Sequence, residues 1–209
     1  MLYVRFNMFT AEPLRLGEVT KYIDTDIRPM IESQPGNLGM SLQVNPQLGV
    51  AVTESFWVSR DAMRGSEKIA EPSRREAARR AAGTATVERY QVPVFEQVAP
   101  IQAGVRVRMT RMDVDPAKME QAIEAFGHTA IPWLANTDGF CGVLLLIDRR
   151  SGRLVSETLW QDSQDLAASR SAATAIRVDA VEATGALIQS IEEYSLVFSS
   201  AHKTLSRQS

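Results

Sequence analysis

Apolar and polar positions follow two periods along the first half of the chain, and together they predict the order strand, helix, strand, strand, helix, strand. Residues 2–9, "LYVRFNMF", have the composition and alternation of a strand. After Pro13, apolar residues recur at helical spacing, at Leu16, Val19, Ile23, Ile27, Met30 and Ile31. The remaining predicted elements are a hairpin of 38–45 and 49–58 around "NPQLG", a helix from near Ser59, and a strand over 84–95.

The same pattern returns 103 residues further along the chain. The stretches "VTESFWVSRDAMRGS" (52–66) and "VSETLWQDSQDLAAS" (155–169) share a Val, a Glu, a Trp and a Ser at the same spacing. Residues that mark turns and helix ends match too: Pro13 with Pro116, Pro29 with Pro132, Gly36 with Gly139, and Gly49 with Gly152. Matched glycines and prolines indicate matched backbone geometry, so the chain contains two copies of one fold.

Three prolines fall within predicted helices. Proline lacks a backbone N–H, and its ring clashes with the preceding helical turn. We therefore expect a kink or an early end at Pro29 and Pro132, and a break in the second helix at Pro72.

The order β-α-β-β-α-β is the ferredoxin-like, split βαβ arrangement, in which helices cover one face of an antiparallel sheet. The other sheet face is apolar and must be buried. We predict an α+β fold in which the two sheets close on each other as one eight-stranded barrel, a pseudo-dimer within a single chain. The predicted limits are 1–96 and 104–198 for the repeats and 199–209 for a polar tail. The sequence leaves open whether two such chains form a further homodimer.

Charge and length restrict the partners of this chain. The 23 basic and 25 acidic residues give a net charge of −2 and are spread evenly over both halves, so we expect no nucleic-acid partner. Apolar runs such as "CGVLLLI" (141–147) are too short to cross a bilayer, and the first residues read as a strand, not as a targeting leader, so we expect no membrane association. The single cysteine, Cys141, indicates the reducing cytoplasm and is expected to be a buried, inert thiol.

The stretch "GNLGMSLQVNPQLGVAVTESFWVSRDAMRGSE" (36–67) has a Gly after the first helix, a hairpin, and a Trp that closes the third strand. In these features the chain resembles the antibiotic biosynthesis monooxygenase superfamily of dimeric α+β barrels, well over 2–95 and more weakly over 104–198. The resemblance implies a cofactor-independent monooxygenase that acts on a small aromatic or polyketide-type molecule. The alternative is a non-catalytic or stress-related barrel that binds a small apolar ligand.

Haem-degrading members of that superfamily combine an asparagine in the first strand, a tryptophan in the third and a histidine on the second helix. Asn7 and Trp57 match the first two positions, but Ser66 and Glu67 stand where the histidine is expected. The two histidines of the chain, His128 and His202, lie elsewhere. Haem needs an axial ligand, so we expect no haem. The sequence has no phosphate loop and no paired metal-ligand spacing, so we expect no other cofactor and no metal.

The candidate catalytic residues of the first copy are Asn7 and Trp57, which the resemblance suggests, and Tyr90, a phenol that the repeat matches in the fourth strand. Trp160 and Tyr194, their counterparts in the second copy, are candidate substrate contacts. The tryptophans would form a wall for an aromatic ligand, and the tyrosines would bond a substrate hydroxyl. The alternative is that all four are core residues. Because the first copy keeps Asn7, we expect any active site there.

Glu54 and Arg5, also candidate substrate contacts, recur in the second copy as Glu157 and Arg108. Glu54 lies in a strand between apolar neighbours, which requires either a cationic partner or protonation. We expect a structural pair of Glu54 with Arg5, and a catalytic base is the alternative. The run "RREAARR" (74–80) predicts a solvated helix face.

Overall fold

The computed structural model describes residues 1–201. Its strands are β1 Leu2–Thr10, β2 Asn37–Asn45, β3 Val50–Trp57, β4 Ala85–Gln97, β5 Arg106–Asp113, β6 Phe140–Asp148, β7 Arg153–Trp160 and β8 Leu187–Ser199. Within residues 1–201 these eight strands form a closed barrel in the order β1-β3-β2-β8-β5-β7-β6-β4. The predicted α+β barrel of two β-α-β-β-α-β repeats is confirmed.

The helices also follow the repeat. They are α1 Leu16–Tyr22, α2 Arg28–Glu32, α3 Arg60–Gly65, α4 Glu67–Arg80, α5 Met119–Ala125, α6 Ile131–Ala135, α7 Ser163–Ala168 and α8 Arg170–Thr184. Each copy opens its first helix with a short 3-10 turn that begins at the matched proline, Pro13–Arg15 and Pro116–Lys118. None of the helices within the described chain is long and apolar enough to cross a membrane.

Pro29 and Pro132 interrupt regular helical geometry without ending the helices. A wide π-helical turn, Ile23–Ile27, joins α1 to α2, and Phe126–Ala130 joins α5 to α6 in the same way. The widened turn comes directly before the segment with the proline, where the missing N–H and the ring disturb a regular turn. The first helix therefore continues past Pro29 to Glu32.

The prediction of a break at Pro72 was wrong, because α4 runs unbroken from Glu67 to Arg80. Pro72 lies near the start of α4 on its exposed face, and the carbonyl that loses its partner, that of Lys68, belongs to an exposed residue. Water can satisfy that carbonyl. The break in the second helical segment falls earlier and in both copies, at Ser66 and at Ser169.

The chain divides into two compact units, residues 1–91 with 195–201, and Val92–Tyr194. The division falls within β4 and β8. The repeat limits 1–96 and 104–198 stay a prediction. Of the predicted tail 199–209, Ser199 ends β8 and residues 202–209 lie outside the described residues.

Candidate ligand cleft

The register of β1 and β3 decides which of the predicted site residues can meet. Arg5 lies opposite Ser55, whereas Phe6 lies opposite Glu54. Successive side chains point to opposite faces of a strand, so Arg5 and Glu54 lie on different faces of the sheet. The expected pair of Glu54 with Arg5 is therefore wrong. Glu54 accepts a hydrogen bond from Ser41 at 2.8 Å instead.

The second copy has the same register. Arg108 lies opposite Thr158, and Glu157 lies opposite Met109. The expected pair of Glu157 with Arg108 fails for the same geometric reason.

Tyr90 is also separated from the other two predicted catalytic residues. Its ring packs edge-on against Phe6 with the ring centres 6.0 Å apart, on the sheet face that also carries Glu54. Asn7 faces the helices, where it lines a small cavity with Ile23 and Ile27. The predicted set of Asn7, Trp57 and Tyr90 is therefore not brought together.

Arg5 lies at the centre of a buried polar cluster on the helix side of the sheet. Only 1% of its side chain is exposed. Its guanidinium donates to the Met63 carbonyl and, at 2.8 Å, to Ser66 Oγ, and it forms an ion pair with Glu67 at 3.1 Å. Burial lowers the pKa of Arg5 to about 10, although the Glu67 charge opposes the change. Ser66 and Glu67, which stand at the position of the absent histidine, thus hold an arginine.

The cleft between sheet and helices in the first repeat, hereafter the first cleft, is almost filled. Asn7 Nδ2 donates to Thr53 Oγ1 at 3.0 Å, and the fully buried Trp57 donates from Nε1 to Ser55 Oγ at 3.0 Å. The Arg80 guanidinium lies 4.0 Å from the centre of the Tyr22 ring. The remaining cavity is about 20 Å³, which is room for a water molecule.

The equivalent cleft of the second repeat, hereafter the second cleft, is open. It contains a cavity of about 240 Å³ bordered by β5, β7, α5 and α8. Ala125 and Ala183 line this cavity at the positions that Tyr22 and Arg80 occupy in the first repeat. Ala130 replaces Ile27 in the same way. Three large side chains are thus exchanged for methyl groups, and the space that they would fill is the cavity.

The apolar core residues of the second repeat fall into two clusters, whereas those of the first repeat form one. The helix-facing core of the first repeat is one apolar cluster, from Phe9 to Ala81 and Phe198. The corresponding residues of the second repeat form two clusters, one around Met112 and Leu154 and one around Leu134 and Trp160. Residues of both clusters border the cavity, Met112 and Leu154 from the first and Ala130 from the second.

A smaller cavity of about 70 Å³ continues the second cleft toward its polar end. Both cavities are bordered by the same apolar residues, Met112, Phe126, Ala130, Ile176 and Ala180. The smaller one adds aromatic and polar side chains, namely Trp133, Trp160, Thr110, Ser156, Thr158, Arg108 and Arg177. The second cleft therefore has an apolar part and a hydroxyl-lined, cationic part.

The two arginines of the second cleft differ in how well they are bonded. Arg108 donates to Ser169 Oγ at 2.8 Å and to the Leu166 carbonyl at 2.6 Å, and forms a 3.3 Å ion pair with Glu193. Arg177 donates to Thr174 Oγ1 at 2.9 Å, a neutral acceptor. Burial lowers the pKa of Arg177, and the charge of Arg108 lowers it further.

Of the predicted substrate contacts, Trp160 lines the second cleft and Tyr194 does not. The ring of Trp160 packs against the rings of Trp133 and Phe140, with ring centres 6.4 Å and 5.8 Å apart. Its Nε1 donates to Thr158 Oγ1 at 2.9 Å. Tyr194 is fully buried, and its hydroxyl donates to Glu192. Burial and the Glu192 contact raise the pKa of Tyr194.

Two further expectations concern residues outside the second cleft. In "RREAARR", Arg75 and Arg79 are exposed, but Arg74 contacts Glu67 and Arg80 covers Tyr22, so the helix face is only partly solvated. Cys141 is buried as expected, and burial raises the pKa of its thiol. Within residues 1–201, no group of three His, Cys, Asp or Glu side chains could hold a metal ion.

Sequence reasoning missed the second cleft, including Phe126, Trp133 and Arg177. The available signal was the set of differences between the copies. At the shift of 103, Tyr22 and Arg80, which contact each other, are both replaced by alanine. Two large residues that meet in one copy and are both reduced in the other indicate a cavity.

Comparisons with known proteins agree with this architecture. No protein-family model matches the chain. A solved anthrone oxidase-like protein has 17% identity and a TM-score of 0.70, with 95% of this chain and 92% of that protein covered. A monooxygenase candidate from Lactobacillus acidophilus has 12% identity and a TM-score of 0.68, with 95% and 94% covered. An uncharacterized protein of Mycobacterium tuberculosis is 29% identical over 197 residues, 94% of this chain and 84% of that protein.

At these low sequence identities, the structural similarity shows the fold alone. The chain has the α+β barrel fold of the antibiotic biosynthesis monooxygenase superfamily, built from two repeats in one polypeptide. The expected resemblance is confirmed at the level of the fold.

Proposed function

We propose that the protein is a cofactor-independent monooxygenase that binds a small aromatic or polyketide-type substrate in the second cleft. The observation that carries the proposal is the cavity of about 240 Å³ in the second repeat, which leads to a cationic end in a barrel similar to an anthrone oxidase-like protein. The first repeat, where the sequence favoured a site, has room for little more than a water molecule.

The lining of the second cleft suits an aromatic ring with an oxygen substituent. Phe126, Ile176 and Met112 would offer apolar contact to the ring, and we propose Trp160 as an aromatic wall at the polar end. Arg108 and Arg177 lie at that end, where their charges would stabilise a phenolate or enolate oxygen. Such stabilisation lowers the pKa of the substrate and eases the loss of its proton.

The proposed reaction begins with loss of a proton from the activated ring carbon, after which the carbanion reacts with O₂. For an anthrone, the CH₂ group becomes C=O, with one oxygen atom of O₂ in the product and the other in water. Asp179 supplies a carboxylate in the lining of the larger cavity and is the residue we propose as proton acceptor.

Oxygen uptake with an anthrone tests this function. We expect substrate-dependent uptake by the wild-type protein, retained by Trp57→Ala and reduced at least about tenfold by Asp179→Asn. Absence of uptake with anthrones and hydroquinones would refute the monooxygenase proposal. Full loss in Trp57→Ala with retention in Asp179→Asn would return the site to the first repeat.

A non-catalytic binding barrel is the second candidate. It is favoured by the fact that Asp179, the carboxylate in the lining of the second cleft, is an exposed residue. Catalytic bases are typically found where burial and neighbouring charges surround them, so an exposed position also fits a site that only binds its ligand. Quenching of Trp133 and Trp160 fluorescence by an aromatic ligand, without oxygen uptake, would support this candidate.

The single cysteine of the chain leads us to propose that the protein works in the cytoplasm.

A further inference from the structure

We propose that the second cleft selects aromatic molecules that carry a carboxylate, and that Arg177 binds this carboxylate at the polar end of the cleft. The inference rests on the proposed function only in using the same cleft, and it narrows the ligand from an aromatic molecule to an aromatic carboxylate. It holds equally for a substrate and for a ligand that is only bound.

The first argument is that Arg177 has lost the counter-ion that its counterpart has. In the first repeat, Arg74 lies 2.6 Å from Glu67, seven residues earlier on α4. In the second repeat, Arg177 occupies the place of Arg74 on α8, but the residue at the place of Glu67 is Arg170. Among the described residues, the contact found for Arg177 is the neutral hydroxyl of Thr174.

This loss follows from an exchange of charges between two elements. In the first repeat the acid is on α4 and the base on β4, where Glu67 pairs with Arg89 at 3.2 Å. In the second repeat the base is on α8 and the acid on β8, where Arg170 pairs with Glu193 at 2.7 Å. Both arrangements preserve the surface pair. Only the first leaves a carboxylate on the helix within reach of the cleft arginine.

The second argument is that the unpaired charge borders empty space. Arg177 and Arg108 both line the smaller cavity, so two positive charges meet at one end of the second cleft. Arg108 is already bonded to Ser169, Leu166 and Glu193. Arg177 therefore has the unused donors of a planar guanidinium, which match the two oxygens of a carboxylate.

The third argument is that hydroxyl groups are available at the same place. In the first cleft, Asn7 Nδ2 donates to Thr53 Oγ1 at 3.0 Å, and Asn7 Oδ1 accepts a 3.4 Å hydrogen bond from Arg74. Their counterparts in the second cleft are the shorter Thr110 and Ser156, which line the smaller cavity. Buried hydroxyls beside a guanidinium form a site for an anion, whereas the apolar remainder of the cleft accepts a ring.

The test compares 2-naphthoate with 2-naphthamide, a neutral molecule of nearly the same size, by isothermal titration calorimetry. We expect the wild-type protein to bind naphthoate about tenfold more tightly, as one charge-assisted hydrogen-bonded contact provides. Arg177→Met should remove the preference and leave naphthamide affinity within about twofold, because the apolar stem is kept. Arg74→Met, the matched change in the first repeat, should leave the preference unchanged.

A charge-exchange variant tests the same inference without removing Arg177. Arg170→Glu combined with Glu193→Arg recreates the arrangement of the first repeat and does not alter net charge. A carboxylate would then lie beside Arg177, and the preference for naphthoate should fall below about twofold. Persistence of the preference in both this variant and Arg177→Met would overturn the inference.

The outcomes separate this inference from the proposed function. Equal affinity of the wild-type protein for both probes would overturn the carboxylate preference and leave the second cleft as a binding site. Failure of both probes to bind would overturn the assignment of the cleft itself. Oxygen uptake is not needed for either conclusion.

Discussion

The role of the second cleft in ligand binding is tested by filling it with the side chains that fill the first cleft. The variant carries Ala125→Tyr and Ala183→Arg, which copy the Tyr22 and Arg80 pair of the first repeat, where the guanidinium lies 4.0 Å from the ring centre. Both alanines border the 240 Å³ cavity, so the new side chains enter existing space and do not displace packed atoms. The variant should lose binding of aromatic ligands and become more stable.

The expected gain in unfolding free energy has two sources, the filled cavity and the new cation–π contact. Filling a cavity typically raises the free energy of unfolding by about 0.5–2 kcal/mol. A partly exposed cation–π contact contributes about 0.5–1 kcal/mol more. For a chain of this size, 1 kcal/mol corresponds to about 2–4 °C in Tm. We therefore expect Tm to rise by several degrees and ligand affinity to fall at least about tenfold.

The assay combines thermal unfolding with titration of an aromatic ligand. The matched control opens the first cleft with Tyr22→Ala and Arg80→Ala, which should lower the free energy of unfolding by about 1–3 kcal/mol because the contact between two half-buried side chains is lost. That control should leave ligand affinity unchanged. Unchanged affinity in the closed variant, or its destabilisation, would refute the assignment of the cavity as the binding site.

Three further outcomes follow from the buried cluster and the turns. Arg5→Met should lower the free energy of unfolding by about 3–5 kcal/mol in urea titrations, because a buried cation is removed from Ser66 and Glu67. Arg89→Met, which removes a 43% exposed partner of Glu67, should cost at most about 1 kcal/mol, and similar costs for the two would contradict the burial argument. Burial alone would raise the pKa of Glu67, but the hydrogen bond from Arg74 and the charge of Arg5 hold this pKa below its usual value. The charged form of Glu67 therefore stabilises the fold above the unfolded pKa, and this stabilisation is lost as the pH falls through the folded pKa. The difference in unfolding free energy between the wild-type protein and Glu67→Gln should be constant near pH 7 and shrink below about pH 4, and a pH-independent difference would refute the lowered pKa. Gly152→Ala should destabilise the protein more than Gly104→Ala. Both glycines have positive φ, but only at Gly152 would a Cβ collide with the backbone oxygen of Val114. Equal melting temperatures of the two variants would contradict this.

The fold could be predicted because its information lies in local, repeated features. Gly36 and Gly139, with φ of +79° and +74°, occupy the same turn in both copies, and Gly49 and Gly152 share a second one. Such backbone positions tolerate few residues, so they stay recognisable when side chains change. The helix through Pro72 could not be predicted in the same way, because its tolerance depends on which face of α4 is exposed.

The site could be predicted only in part, because it depends on differences between the copies and not on their identities. Trp160 was found because it is repeated. Arg177 was a repeated residue as well, but its role depends on Glu67 being replaced by Arg170, a change that is visible only when charges are compared pair by pair. The expected Glu54–Arg5 pair failed because the side-chain alternation of a strand places residues 5 and 54 on opposite faces once the register is known.

The asymmetry between the two clefts is tested most directly by a crystal structure of the protein with 2-naphthoate. We predict electron density for one molecule in the second cleft, with the ring against Phe126 and the carboxylate within hydrogen-bonding distance of Arg177, and none in the first cleft. Naphthoate seated between Asn7 and Ile27 in the first cleft, or an unoccupied second cleft at saturating ligand, would contradict it.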